Sequence, residues 1–331
     1  METYNGVMPL LPLNRVRVES LDDLFQEELS CWKEQLNWDY TPVRGLLRSL
    51  IASRSLAGFV QVGPSQKATG YAYFVINPPI AFIGGVFMRT GRPKPDYQKL
   101  VDCTVSAILH EGRVERIEAQ VFPFHGDPCP AFESVGFRVT RRQFLSRKVA
   151  DPHPQQSSNH RQDPVMVLGW NSSLASCAAA VIYDSYRDSI DLPLSHNYQS
   201  FEGCLDFVRN LQKSPFCGTF SPQTTLAAVD ATGRVCGVIL GALIGQTTGM
   251  ISQLSIRRDF QGKGVGSFLL GSYLNRARDL GLQKTTLSVS EANLKALNLY
   301  RRFGFEPRKH FYAFIWERAG EHTGRLVSQA V

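Results

Sequence analysis

The stretch that decides the fold is Gln261-Gly-Lys-Gly-Val-Gly-Ser267, a turn with three glycines. It follows residues 250–256, an apolar run compatible with a β-strand, and precedes residues 268–280, where apolar side chains recur at helical spacing. Glycines let a backbone approach an anion closely, and the first N–H groups of a helix have no intrahelical partner. The pattern predicts a strand, a tight turn and a helix N-terminus that binds phosphate.

The glycines alone leave a purely structural turn open, because glycine after a strand often serves only to reverse the chain. The turn lacks the closing Gly-Lys-Ser/Thr of a Walker A loop and comes too late for a typical dinucleotide fold. A second segment narrows the choice. Residues 285–289 predict another strand, and Asn293 is placed as the N-cap of a short helix that ends near Gly304.

Together, the two segments resemble the GNAT acyltransferase superfamily. Its first motif is Gln/Arg-x-x-Gly-x-Gly/Ala, and its second carries Asn, Ala, Tyr and a terminal Gly-Phe. The matching residues of this chain are Gln261, Gly264, Gly266, Asn293, Ala296, Tyr300, Gly304 and Phe305. The resemblance implies an α/β (α+β) fold, with a mixed, mostly antiparallel central sheet flanked by helices, and a site for acetyl-CoA as cosubstrate.

The resemblance also implies roles for individual residues. The strand backbone at Leu254, Ser255 and Ile256 would pair with the pantetheine arm. Asn293 would contact the pantetheine, and Tyr300 would be the catalytic general acid, or a hydrogen-bond donor, for the departing thiolate; a packing role for its ring stays open. The pyrophosphate would be held by the backbone of Gln261, Gly262, Lys263, Gly264, Val265, Gly266 and Ser267.

The residue that takes the proton of the acceptor amine is not identified by the sequence. An alkylamine is mostly protonated at neutral pH, so direct transfer needs a base or a chain of waters. Peptide N-terminal acetyltransferases of the superfamily often carry a glutamate where this chain has Ser288. Glu291 is the nearest carboxylate and is expected to be solvated, whereas Ser252 and Gln253 could orient a water. The departure weakens an assignment to peptide N-termini.

The polar, proline-rich segment 150–164 predicts a linker. It separates residues 1–149 from residues 165–331, and the predicted helices and strands of the two parts follow a similar order. We therefore predict two tandem GNAT-like domains, of which the C-terminal one is the acetyltransferase domain that binds acetyl-CoA.

The N-terminal copy is predicted to be degenerate. Its turn at residues 89–96 contains two prolines, which lack the N–H groups an anion needs. Phe132 stands at the tyrosine position and cannot donate a proton. No asparagine matches Asn293, which leaves the N-terminal copy with roles in packing or in shaping the substrate site.

Composition excludes several classes of function. No run of about 20 apolar residues predicts a membrane span, and the N-terminus does not resemble a signal peptide. Seven scattered cysteines without a Cys-x-x-Cys pair argue against a disulfide framework or a metal site and favour the cytoplasm. The net charge of +7 is dispersed, and coenzyme A is itself an anion, so nucleic acid is not the favoured partner.

The sequence thus predicts transfer of an acetyl group from acetyl-CoA to a primary amine, on a small molecule or a peptide, by direct transfer in the C-terminal domain. Two alternatives stay open: an acyl-CoA sensor without turnover, and a transferase that uses aminoacyl-tRNA. The doubled architecture is similar to that of tandem small-molecule enzymes such as mycothiol synthase. Acceptor and oligomeric state are not assigned. Acceptor choice is expected from loop 185–200 and from the face between the two predicted domains. Polar and aromatic groups there are Tyr183, Tyr186, Asp188, Asp191, His196 and Tyr198.

Overall fold

The computed structural model describes residues 9–63, 65–91, 97–154 and 165–318. These residues divide into two compact units, neither of which is one continuous stretch. The first takes in the described residues of Met1–Leu24, Leu50–Val139 and Tyr312–Val331, and the second Phe25–Ser49 and Thr140–Phe311.

The first unit is built on a sheet with the strand order β1-β2-β3-β4-β5-β13. Neighbouring strands are antiparallel except for the parallel pair of β4 and β5. Helix α3 buries Leu100, Val101 and Ile108 in the core of this unit. The strands and helices are β1 (Leu10–Pro12), β2 (Ala57–Val62), β3 (Ala68–Asn77), β4 (Ile80–Met88), β5 (Arg116–Val121), β13 (Glu306–Glu317), α3 (Tyr97–His110) and α4 (Cys129–Ser134).

The second unit repeats this plan with the order β7-β9-β10-β11-β12-β6, and β8 pairs with β10. Here the parallel pair is β11 and β12. The strands are β6 (Arg138–Lys148), β7 (Met166–Gly169), β8 (Thr219–Phe220), β9 (Leu226–Val229), β10 (Val235–Leu243), β11 (Thr248–Ile256) and β12 (Lys284–Ser290), and the helices are α5 (Ala175–Tyr186), α6 (Phe201–Lys213), α7 (Val265–Asp279) and α8 (Leu294–Arg302). Helices α1 (Asp22–Leu36) and α2 (Thr41–Ala52) lie mostly in this unit.

Two separate apolar clusters hold the helices of the second unit on its sheet. Helix α7 buries Leu269, Leu270 and Leu274 in one cluster, together with residues of β11, β12 and α8. Helices α5 and α6 form the other, with Ile182 and Val208 fully buried. Truncating a buried leucine to alanine costs about 2 to 5 kcal/mol, so these clusters fix the strands and helices that surround the site.

The last strand of each half of the chain pairs with a strand from the other half. Strand β6 pairs with β12 from Lys284↔Lys148 to Ser290↔Arg142. Strand β13 pairs with β5 from Tyr312↔Val121 to Glu317↔Arg116, where Arg116 and Glu317 also form an ion pair of 2.5 Å. The boundaries of the compact units therefore differ from the predicted division into residues 1–149 and 165–331. That the sequence contains two copies of one domain stays a prediction.

The fold class predicted from the sequence is confirmed: the sheet is mixed, mostly antiparallel and flanked by helices. Strands β6 and β13 were not predicted. Residues 92–96 of the N-terminal turn and residues 155–164 of the predicted linker lie outside the described residues. Within the described part of the chain, no helix is long and apolar enough to cross a membrane, and no group of three or more potential metal ligands occurs.

Candidate active site

The two parallel strands of the second unit part from each other halfway along. Their pairing runs from Thr248↔Lys284 to Ile251↔Leu287. Beyond that point β11 stays paired with β10 out to Ile256, after a bulge at Ser252 that shifts the register. The described part of β12 therefore leaves one edge of residues 252–256 without a partner strand. Such an edge presents backbone N–H and C=O groups that can pair with an extended ligand.

The glycine turn follows directly after this open edge. Gly262 and Gly264 have φ angles of 79° and 81°, in the left-handed region that favours glycine. A Cβ added at Gly262 would meet nothing within 4 Å. Helix α7 begins at Val265, and its first turn closes with the Phe268 N–H donating to the Gly264 carbonyl at 3.1 Å. The N–H groups before Phe268 lie at the positive end of the helix, where an anion is favoured.

Gln261 ties the turn to its surroundings. Its Nε2 donates to the Ile256 carbonyl at 3.1 Å, and its Oε1 accepts from Lys295 Nζ at 2.7 Å. Lys263 is exposed, and its Nζ lies 5.4 Å from the ring centroid of Phe260, a residue of the same turn. Val265 is buried in the core and can serve an anion only through its backbone.

A cleft of about 780 Å³ lies between β11, the glycine turn, α8 and the end of α5. Its size is within the usual range of small-molecule sites, about 300 to 1,000 Å³. The residues expected at the site that line it are Leu254, Ser255, Ile256, Gln261, Gly262, Gly264, Gly266, Ser267, Asn293 and Tyr300. Two separate sequence segments, predicted to form one site, therefore meet in one cleft.

Asn293 caps helix α8, as predicted. Its Oδ1 accepts the Ala296 N–H at 3.1 Å. Its Nδ2 donates to Asp191 Oδ2 at 2.7 Å. The amide thus connects α8 to the loop between α5 and α6, a contact that sequence spacing cannot reveal because the two residues are far apart in the chain.

Tyr300 is both a packed residue and a potential donor. Its ring is 8% exposed and meets Phe305 edge to face, with centroids 5.8 Å apart. Burial raises the pKa of the Tyr300 phenol above its ordinary value, and the neighbouring Tyr186 and Asp191 raise it further. Among the described residues, none forms a hydrogen bond with the Tyr300 hydroxyl. A neutral hydroxyl is therefore available to a ligand in the cleft.

The end of α5 is hydrogen-bonded to side chains of β11. Gln253 Nε2 donates to Ser255 Oγ at 2.7 Å and to the Tyr186 hydroxyl at 3.2 Å. Tyr186 stacks on Tyr198 with ring centroids 3.9 Å apart. Gln253 is thus engaged with protein groups, whereas Ser252 Oγ is buried without a hydrogen-bond partner.

Glu291 is not the solvated loop carboxylate that the sequence suggested. Its Oε1 lies 2.5 Å from His310 Nδ1 and 3.3 Å from Arg141 Nε, and it also accepts from Gln143 Nε2 at 3.3 Å. Strands β6 and β13, which were missed in the sequence, bring these partners to it. Glu291 does not line the cleft.

Charged side chains of both signs line the cleft. The cations are Arg258, Lys295 and Arg302, and the carboxylates are Asp188 and Asp191. Arg258 forms an ion pair with Asp188. The sequence singled out the basic cluster at Arg301 and Arg302 as flanking the site, but it missed Lys295, although a spacing of seven residues along α8 places Lys295 on the same side of that helix as Arg302.

Residues 194–305 match the Acetyltransferase (GNAT) family. A mycothiol acetyltransferase from Propionibacterium freudenreichii subsp. shermanii is 34% identical over 89 residues, which cover 26% of this chain and 28% of that protein. The chain thus matches less than a third of this curated relative.

Solved structures show the same fold over most of the chain. A GCN5-related N-acetyltransferase from Sphaerobacter thermophilus has a TM-score of 0.69 at 18% identity, over 95% of this chain and 98% of that chain. A tandem GNAT protein from the clavulanic acid biosynthesis pathway has a TM-score of 0.59 at 14% identity, over 95% and 100%. At these identities the likeness establishes the fold alone.

Proposed function

We propose that this chain, whose residues 194–305 match the Acetyltransferase (GNAT) family, transfers an acetyl group from acetyl-CoA to a primary amine of a small molecule or peptide. The observation that carries the proposal is the cleft in which the open edge of β11, the glycine turn and Tyr300 meet. A cytoplasmic setting is supported by the seven cysteines, which are scattered along the chain without a Cys-x-x-Cys pair.

The residues of the cleft fit acetyl-CoA along its length. The open edge of β11 at Leu254 and Ile256 offers backbone groups to the amides of the pantetheine arm. The N-terminus of α7 suits the pyrophosphate, because left-handed glycines precede it and nothing occupies the space beside Gly262. Lys295 and Arg302 add positive charge for the remaining phosphate. When bound, acetyl-CoA supplies an activated acetyl thioester.

Tyr300 is assigned to the leaving thiolate. A phenol has an ordinary pKa of about 10 and a thiol of about 8.5, and burial raises the pKa of Tyr300 further. Complete proton transfer to a thiolate is therefore uphill, so the hydroxyl stabilises developing charge on sulfur chiefly as a hydrogen-bond donor. Positioned acid–base groups contribute about 10²- to 10⁴-fold to a rate.

The test is release of free thiol from acetyl-CoA in the presence of ethanolamine, glucosamine, putrescine or glycinamide. We expect the wild-type protein to release thiol with at least one amine and to form the N-acetyl product. Acetyl-CoA binding without turnover on a broad amine panel would contradict the enzyme and favour a sensor. Tight, salt-dependent binding of tRNA together with absent acetyl-CoA binding would favour the aminoacyl-tRNA alternative.

A further inference from the structure

Two carboxylates line the cleft, and their environments differ. Asp188 forms an ion pair with Arg258, so its charge is already balanced. Asp191 has a neutral partner, the amide of Asn293, and no described cation lies within ion-pair distance of it. A carboxylate held in a cleft beside a neutral group is a natural partner for a cationic ligand.

Asp191 is held firmly in its position. Its backbone N–H donates to Ser189 Oγ at 3.2 Å, and its carbonyl accepts the Leu194 N–H at 3.0 Å. Its Oδ2 accepts from Asn293, whose own Oδ1 is fixed by the Ala296 N–H. Both the backbone and the carboxylate are therefore set by protein contacts, as a group that must meet a reacting atom requires.

The same contacts couple Asp191 to Tyr300. Asn293 is the N-cap of α8, and Tyr300 lies on that helix and lines the same cleft. Burial is the main cause that raises the pKa of the Tyr300 phenol, and Tyr186 and then Asp191 add smaller electrostatic contributions in the same direction. The carboxylate and the phenol thus face one volume from the loop side and the α8 side.

We propose that Asp191 is a catalytic residue that binds the acceptor amine in its ammonium form and takes its proton. The step rests on the proposed function. The ammonium proton passes to the Asp191 carboxylate and then to solvent, the freed nitrogen lone pair forms a bond to the thioester carbonyl carbon, and the carbon–sulfur bond breaks. Both electrons of that bond leave with sulfur, next to the Tyr300 hydroxyl. The nitrogen then loses its second proton to solvent, and the thiolate takes up one proton from solvent. Ammonium and acetyl-CoA give amide, CoA thiol and one proton.

This assignment supplies the base for which Ser288 is unsuited. Glu291, the other carboxylate that the sequence offered as a base, does not line the cleft. Its carboxylate is bonded to His310, Arg141 and Gln143. The assignment to Asp191 also defines the acceptor class: a primary amine that is protonated in solution and arrives as a cation.

The test compares Asp191→Asn with Asp188→Asn, a matched change of charge on the same loop. Asparagine at 191 keeps the shape and an oxygen for the Asn293 bond. Using acetyl-CoA and whichever of the four amines the wild-type protein accepts best, we expect Asp191→Asn to lower kcat/KM for the amine by about 10²-fold or more at neutral pH. Asp188→Asn removes a cleft carboxylate that is already paired with Arg258, so its loss of kcat/KM should be at least about tenfold smaller, and its pH profile should keep the wild-type slope.

The pH profile separates proton transfer from a structural role. Between about pH 6 and pH 9, kcat/KM of the Asp191→Asn variant should rise about tenfold per pH unit as free amine accumulates, and the wild-type profile should be flatter. Tyr186 and Tyr300 line the cleft with Asp191, and burial raises the pKa values of both phenols, so they stay neutral in this range. The nearby charged groups of the cleft wall are Asp188 and Arg258, which form an ion pair with each other. His196 is on the following turn and does not line the cleft.

Four results would overturn the inference. Asp191→Asn could keep wild-type kcat/KM and pH profile, could lose no more than Asp188→Asn, or could weaken acetyl-CoA binding in proportion to activity. A fourth is Asp191→Glu, which keeps the charge, showing the same steep pH profile as Asp191→Asn. In these cases a working wild-type enzyme would leave the proposed function standing. A wild-type protein that binds acetyl-CoA but acetylates none of the amines would overturn both proposals.

Discussion

Strands β4 and β5 of the N-terminal half part in the same way as β11 and β12 of the C-terminal half. The parallel pairing of β4 and β5 ends at Ile83↔Ala119, and β4 then continues beside β3 to Met88, with a register shift at Gly84. In the other half the pairing ends at Ile251↔Leu287, with the register shift at Ser252. Both halves therefore contain the backbone frame of a cleft.

The side chains around the two frames differ. In the N-terminal half the ring of Tyr73 lies against Gly84, close enough that an added Cβ would sit 2.2 Å from Cε2. Phe132, at the tyrosine position, is fully buried and stacks on Phe314 at 4.0 Å. Tyr300 instead lines a cleft. The two halves therefore share the backbone arrangement in which two parallel strands part, and they differ in the few side chains that lie beside it.

Separating the halves should have the largest effect, because each sheet is completed by a strand from the other half. A chain of residues 165–331 lacks β6, which pairs with β12 at seven positions. We expect this chain alone to be insoluble or to unfold without cooperativity, and coexpression with residues 1–149 to restore a soluble complex. Circular dichroism and size-exclusion chromatography measure this. A stable, cooperatively folded fragment 165–331 would contradict the strand exchange.

Tyr300→Phe gives the C-terminal half the residue that the N-terminal half carries at the corresponding position, Phe132. We expect kcat to fall by about 10²-fold or more in the thiol-release assay, with acetyl-CoA affinity unchanged, because the ring still packs against Phe305. Phe132→Tyr is the reciprocal control. It should leave kcat unchanged and cost about 1 to 3 kcal/mol of unfolding free energy, because the new hydroxyl is buried in an aromatic cluster. Equal kcat for Tyr300→Phe and wild type would remove Tyr300 from the mechanism.

Gly262→Glu tests the glycine turn against a matched glycine. Gly233, in the hairpin between β9 and β10, has a φ of 83° and Gly262 has 79°, and a Cβ would meet nothing within 4 Å at either. Both substitutions should therefore cost a similar stability, about 1 to 2 kcal/mol. Only Gly262→Glu should weaken acetyl-CoA binding, by at least about tenfold or 1.4 kcal/mol. Equal affinities by isothermal titration would contradict a phosphate site at the turn.

The pH dependence of kcat tests the environment of Tyr300. Burial disfavours the charged phenolate, so the pKa moves up and the hydroxyl stays protonated as the pH reaches about 10. We expect no loss of kcat from this group up to about that pH. A loss of activity well below pH 10 that is present in wild type and missing in Tyr300→Phe would show an exposed or depressed phenol instead.

Lys295→Met should give the smallest change. Lys295 lines the cleft and donates to Gln261, and an exposed charge of this kind is worth about 0.2 to 1 kcal/mol. We expect acetyl-CoA affinity to fall by about twofold to fivefold and its salt dependence to weaken. Lys213→Met, at the exposed end of α6, should change neither. An identical salt dependence in both variants would place the acetyl-CoA phosphates away from α8.

Local sequence patterns predicted many of the helices and strands and, in the cleft, the residues of β11, the glycine turn and α8. Glycine spacing identified the turn before α7, and Asn293 was recognised as an N-cap because that signal lies within one helical turn. The pairing of β6 with β12 could not be predicted, because strand partners are set by tertiary packing between distant segments. For the same reason the sequence placed Glu291 in solvent and did not connect Asp191 with Asn293, a contact that depends on how the loop folds back.

The central claim is that one of the two similar frames holds acetyl-CoA. Native mass spectrometry of the whole chain with acetyl-CoA tests it most directly, because it counts bound molecules. We expect one acetyl-CoA per chain in the wild-type protein and in Gly233→Glu, and none in Gly262→Glu at the same concentrations. Two molecules per chain, or one that persists in Gly262→Glu, would contradict it.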